Sequence, residues 1–166
     1  ATFVRAFAGP TACATVTSSG CVDAFIASFG ERVLRRPLDP TDGDAAFYRG
    51  AYDDATYGGY RGVIAAFLLA PGFLFRTELK GTPENGRDDL VRLTPFELAS
   101  RLSFTLTGSM PDDALFAAAR ANFTGSGNTV AEQVDRLLSQ PRAREHFEGF
   151  YRQWLRLNRV PGVNPS

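Results

Sequence analysis

The sequence predicts an all-α protein, a bundle of about six to eight short helices in two packed halves. Three observations carry that reading. Apolar residues recur at spacings of three and four through most of the chain, which is the repeat of one helix face. Several of these runs open on Ser, Thr or Asp, with glutamate or proline placed where a helix start uses them. No stretch of four or more residues alternates as a convincing strand.

The first clear helix runs from about Val22 to Arg35, with Phe25, Ile26, Phe29, Val33 and Leu34 as its apolar stripe. Arg35-Arg36-Pro37 stops it, because the residue before a proline avoids helical geometry. Asp39-Pro40-Thr41-Asp42 reads as a second cap, leading into a helix to about Ala51 that Gly43 and Gly50 weaken. Tyr57-Gly58-Gly59 then separates that helix from the longest apolar run, Val63 to Phe75, which Pro71-Gly72 interrupts. Such a run is too short and too broken to span a bilayer. It reads as a buried helix ending at Ala70, followed by Phe73 to Glu78 as a helical turn or extended segment against the core.

Lys80 to Arg92 is a polar Gly/Pro/Asn stretch and marks a boundary. Residues 1–80 form a first region with the cysteines and a helical subdomain, 81–92 a linker, and 93–166 a second helical subdomain. In this second part Thr94 caps a helix that starts at Pro95, and Glu97 reaches back to the cap amide. Ser109 and Asp112 repeat the arrangement after Gly108, with Pro111 inside the first turn. Beyond Gly125-Ser126-Gly127-Asn128, Thr129 and Glu132 make a third capping box before a helix of about ten residues whose inward stripe is Val134, Leu137 and Leu138. Pro141 opens the last helix, where Phe147, Phe150, Tyr151, Trp154 and Leu155 recur at spacings of three and four before Val160-Pro161-Gly162 ends it.

A chain of 166 residues can bury roughly 70% of its unfolded surface without a metal to hold it together. With 44% apolar and 22% charged residues and 14 phenylalanines, disorder is expected only near Gly81 to Asp89 and Gly125 to Asn128. Formal net charge is zero, and the arginines are interspersed with acids, so no nucleic-acid partner and no long-range attraction to anionic lipid is expected, and the short, broken apolar run gives no membrane span. Lys80 is the one lysine among 18 basic residues.

Cys13 and Cys21 lie close together in a Gly/Thr/Ser-rich segment, at a spacing that fits neither a zinc knuckle nor haem attachment. A disulfide between them would close a nine-residue loop and contribute about 2.5 kcal/mol in the chain-entropy model. Two reduced, buried thiols are the alternative, and the polar surroundings favour the bond. Ala1 begins without a basic start or an apolar stretch, so the chain reads as already processed.

Leu93 to Ala119, with Thr94-Pro95-Phe96-Glu97 and Gly108-Ser109-Met110-Pro111-Asp112-Asp113, resembles the helical domain of unknown function of large exported proteins of planctomycetes and myxobacteria, where it accompanies c-type cytochrome modules. Phe25 to Leu38, with Phe29-Gly30 and Arg35-Arg36-Pro37-Leu38, resembles the small companion domain that precedes it. Ala70 to Glu78 resembles the next block, and Pro141 to Arg144 with Gln153-Trp154-Leu155 the closing helix. The resemblance covers about Cys21 to Leu157. Family members commonly carry an aromatic pair where this chain has Thr105 and Thr107. What the resemblance implies is redox work outside the cytoplasm, periplasmic or extracellular, with any haem held by a partner.

The residues themselves offer little catalytic equipment. Covalent haem attachment needs Cys-x-x-Cys-His, which is absent. His146 is the only histidine and reads as structural, since several imidazoles are needed for a histidine metal site and axial pairing with Met110 is remote. Ser100 and Ser103 fall on a helix face, with no Gly-x-Ser-x-Gly elbow and no phosphate loop anywhere. Asp53-Asp54, Asp88-Asp89 and Asp112-Asp113 are adjacent pairs whose members point apart on a helix, and the last reads as helix-start charge. Asn122-Phe123-Thr124 matches a glycosylation sequon by coincidence.

Three classes of function follow. The first is an exported interaction or scaffold module of a larger, redox-related assembly, partnered by other chains or domains, with no catalytic, metal or cofactor residues of its own. Its candidate surface is Tyr48, Tyr52, Tyr57 and Tyr60, of which core packing can absorb about half. The second is a subunit of an oxidoreductase whose haem sits in another domain or chain. The third is a self-contained enzyme built on Arg101 with Glu97 or Asp112.

Overall fold

The computed structural model describes residues 2–9, 13, 15–38, 43–76, 78, 81–84 and 87–157. Among them the chain is mostly helical, with nine helices and one two-stranded sheet. It divides into two compact units, Ala1–Leu79 and Lys80–Ser166.

The first unit holds α1 (Thr2–Ala8), α2 (Ser19–Leu34), α3 (Asp44–Asp53), α4 (Gly59–Leu69) and α5 (Pro71–Leu74). Helix α2 starts a turn earlier than the apolar stripe predicts, because the Ser18 hydroxyl accepts from the Cys21 amide at 3.3 Å. It ends at Leu34, one residue short of the predicted Arg35, which stands left-handed at φ 59° as the C-cap. The predicted cap over Asp39 to Asp42 lies outside the described residues, and α3 follows Gly43 at φ 79°. α1 escaped prediction because seven residues give too few turns for a period to show.

Packing in this unit is aromatic. Phe25, Phe67, Val22 and Val63 are fully buried, and Phe25 stacks on Phe29 with ring centroids 5.1 Å apart. Phe67 lies flat against Tyr48 at 3.6 Å and edge-on to Phe29 at 5.6 Å. Gly30 makes room for this, since a Cβ there would come within 2.7 Å of the Phe67 ring. Cys13 and Cys21 form the disulfide, with Cα atoms 4.7 Å apart, and both are buried against this core.

The Val63 to Phe75 run corrects the expectation of burial. Only the Val63 and Phe67 face of α4 is buried, whereas Leu69 is 74% and Phe75 63% exposed. Phe73 and Leu74 are also open, so this segment does not lie against the core. It is anchored through its backbone instead: the Arg35 guanidinium donates to the carbonyls of Gly72 and, at 3.2 Å, of Phe75.

The second unit opens where a linker was predicted, with a hairpin of β1 (Thr82–Glu84) and β2 (Arg87–Arg92). The strands pair antiparallel, Thr82 opposite Arg92 and Pro83 opposite Val91, and Arg92 grips Glu84 through two hydrogen bonds of 3.0 and 2.7 Å. Alternation could not reveal strands this polar and short; the Asn85-Gly86 dipeptide, itself outside the described residues, is the local hairpin signal.

Four helices follow: α6 (Pro95–Thr107), α7 (Asp113–Arg120), α8 (Val130–Leu138) and α9 (Pro141–Trp154). Both threonine capping boxes form as predicted, at Thr94 with Glu97 and at Thr129 with Glu132. The second start shifts, with Asp112 rather than Ser109 as the cap of α7. Ala99, Leu115, Ala119 and Leu137 make the core, bordered by Phe96, Leu102, Leu106 and Phe123. Gly108 turns α6 off at φ 62°, and a Cβ there would stand 2.5 Å from Nδ1 of His146.

Candidate interaction surface

The four tyrosines proposed as a surface do not gather into one. Tyr48 is 4% exposed beneath Phe67, because its ring fills the space between α3 and α4. Tyr52 and Tyr60 are half-buried and meet edge-to-face at 5.2 Å, and the Tyr60 hydroxyl donates to the Val16 carbonyl. Burial pushes the Tyr60 phenol up, as it does for Tyr48. Tyr57 alone projects, following a turn in which the Asp54 carboxylate accepts from the amides of Thr56 and Tyr57. Those two bonds, Tyr57 first, hold the Asp54 carboxyl below its usual range.

Large exposed apolar groups collect in two other places. In the first unit they are Leu68 and Leu69 at the end of α4 with Phe73, Leu74 and Phe75 of the following turn. In the second unit they are Phe150, Tyr151 and Trp154 on α9, with Leu155 and Leu157 just beyond it. Phe150 and Trp154 stack at 5.9 Å, and Tyr151 stands 5.4 Å from Phe150. Isolated exposed leucines are ordinary, but contiguous groups of large apolar side chains mark contact surfaces.

The polar residues singled out as chemical candidates have structural duties. Asp112 caps the Leu115 amide at 2.9 Å and takes both Arg136 Nη atoms, at 2.7 and 2.9 Å, while Gln140 adds a weaker bond. Arg136 also reaches Gln133, whose amide donates to the Gly127 carbonyl at 2.7 Å. Desolvation pushes the Asp112 carboxyl up, but Arg136 and the Leu115 amide outweigh it and hold the group below its ordinary value. Glu97 closes the Thr94 cap, accepting from the Thr94 amide and hydroxyl at 2.9 and 2.8 Å. Ser103 is buried in α6, where its carbonyl accepts from the buried Thr107 hydroxyl. His146 is half-buried against Gly108, and Met110 is exposed. Among the described residues no three His, Cys, Asp or Glu side chains are grouped as metal ligands would be, and no helix is long and apolar enough to cross a membrane.

Two family profiles match the chain, each within one unit. Residues 21–78 match a protein of unknown function (DUF1595), and residues 93–166 a protein of unknown function (DUF1592). Each unit is thus similar to a helical domain of unknown function. No curated protein and no solved structure matches.

Proposed function

We propose that the protein is an exported helical interaction or scaffold module of a larger, redox-related assembly, and that the haem of that assembly belongs to another domain or chain. The observation that carries this reading is the uncovered apolar surface, Leu69 and Phe75 in one unit and Phe150 and Trp154 in the other. Exposing such side chains to water costs on the order of 1.5–3 kcal/mol each relative to full burial, a penalty that a partner removes. The Cys13–Cys21 disulfide supports an oxidising compartment, periplasmic or extracellular. Cytochrome association rests on the sequence resemblance of Leu93 to Ala119 and its flanking blocks.

The test is gentle isolation from the native cells, with mass spectrometry of co-purifying proteins and an absorption spectrum. The expected product is a complex well above the 18.0 kDa of the chain, containing a haem protein with a Soret band. A colourless, solitary chain overturns the proposal.

A further inference from the structure

We propose that α1 is a strap latched over the aromatic face of α2 by oxidation of Cys13 and Cys21, and that it lifts from that face when the two are thiols. The inference is independent of the assembly and of any partner. Phe3 and Phe7 both reach Phe25 and Phe29, with ring centroids 5.2 to 6.2 Å apart. Val4 is buried in the same cluster as the two cysteines, and the Ser28 hydroxyl donates to the Phe7 carbonyl at 2.7 Å. Seven residues are too few to stay helical alone, so α1 is either docked on α2 or unwound. The family match to residues 21–78 starts at Cys21, so α1 and Cys13 stand ahead of the part that this unit shares with its family.

The bond is placed to decide between the two states. Residues 9–18, ten positions, separate α1 from α2, whereas through the bond only residues 9–13, five positions, lie between Ala8 and Cys21. Halving a tether raises the effective concentration of its ends about threefold. The bond also fixes the Cys13 carbonyl, which accepts from Arg5 Nε at 3.2 Å, so α1 grips the latch itself. Tyr60 of α4 holds the other side of the loop, its hydroxyl donating to the Val16 carbonyl and standing 3.3 Å from the Cys21 sulfur. Cys13 is 1% and Cys21 0% exposed, so a reductant meets the bond only after α1 has lifted. Closing is a two-electron oxidation by a small disulfide such as oxidised glutathione. One cysteine thiolate attacks it and displaces a first glutathione, and the other cysteine thiolate then displaces the second. One disulfide forms in the protein, the oxidant's becomes two thiols, and the two cysteine protons end on them.

Amide exchange followed by NMR on the whole chain, in oxidised and in reduced glutathione, is the test. The Gly9 amide donates to the Arg5 carbonyl at 3.0 Å. On reduction it and its neighbours in α1 are expected to exchange at least about threefold faster, while the amides of α4 around Val63 and Phe67 keep their protection. The double variant Cys13→Ser with Cys21→Ser should match the reduced protein. Coupling is reciprocal, so Phe7→Ala, with both cysteines in place, is expected to move the glutathione equilibrium toward thiols and to speed reduction by dithiothreitol. Unchanged exchange in α1 on reduction overturns the latch, and so does a Phe7→Ala protein that holds its bond as tightly as the wild type. Loss of protection throughout α3 and α4 overturns it too, since the bond would then support the unit as a whole. Each of these results leaves the proposal of an interaction module standing, which the isolation from native cells decides.

Discussion

Phe67→Ala is expected to destabilise the first unit by about 3–5 kcal/mol. The side chain has no exposed surface, lies flat on Tyr48 at 3.6 Å and meets Phe29 edge-on at 5.6 Å. Truncation removes both ring contacts and leaves a cavity lined by side chains that α2, α3 and α4 hold in place. Gly30 cannot fill the space, having no side chain, and its backbone is fixed within α2. A small domain is stable by only about 5–15 kcal/mol, so much of the first unit's stability is lost. Urea unfolding followed by circular dichroism checks this: the expected result is a large drop in the midpoint for the variant. A loss below about 1 kcal/mol would mean that the aromatic cluster around Phe67 does not hold the unit together.

Asp112→Ala is expected to cost the second unit about 2 kcal/mol. An aspartate N-cap contributes roughly 1 kcal/mol, and the charge-assisted bonds from Arg136 add a similar amount, less than a buried pair would because the Asp112 side chain is 41% exposed. Asp112→Asn separates the two parts, since asparagine still caps but no longer pairs with Arg136. The pH dependence has a definite sign. Because the folded state holds the Asp112 carboxyl below its ordinary value, its contribution is complete above the unfolded-state pKa and is lost as pH falls through the lowered folded one. Thermal melts of the wild type between neutral and strongly acidic pH should therefore show an acid-side loss that both variants lack in part. Parallel acid profiles in all three proteins would contradict the pairing.

The helical class was legible because its signals are local. Thr94-Pro95-Phe96-Glu97 and Thr129 to Glu132 bring cap, proline or glutamate within four residues, so a helix start can be read without knowing what it packs against. What covers a helix is a long-range fact. The Val63 to Phe75 run is apolar throughout, yet α4 turns Val63 and Phe67 inward and leaves Leu68 and Leu69 outside, a division that composition does not encode. Likewise the spacing of Phe147, Phe150 and Trp154 defines a stripe but not the point at which the core beneath it ends. Asp112 and Arg136 are 24 residues apart, and no motif joins them. The tyrosines show the same thing: each has a polar tip and a large ring, and composition does not divide them between surface and core, where Tyr48 is buried, Tyr52 and Tyr60 are half-buried and Tyr57 is open.

The open apolar faces are expected to be covered when the protein is in its native assembly. Hydroxyl-radical footprinting of the isolated assembly beside the purified chain measures this directly, because exposed aromatic and leucine side chains are oxidised and covered ones are spared. Trp154 and Phe150, and with them Leu69 and Phe75, are expected to react readily in the purified chain and to be protected in the assembly, while Tyr57 serves as an exposed reference. Equal oxidation of these residues in both states would contradict the account.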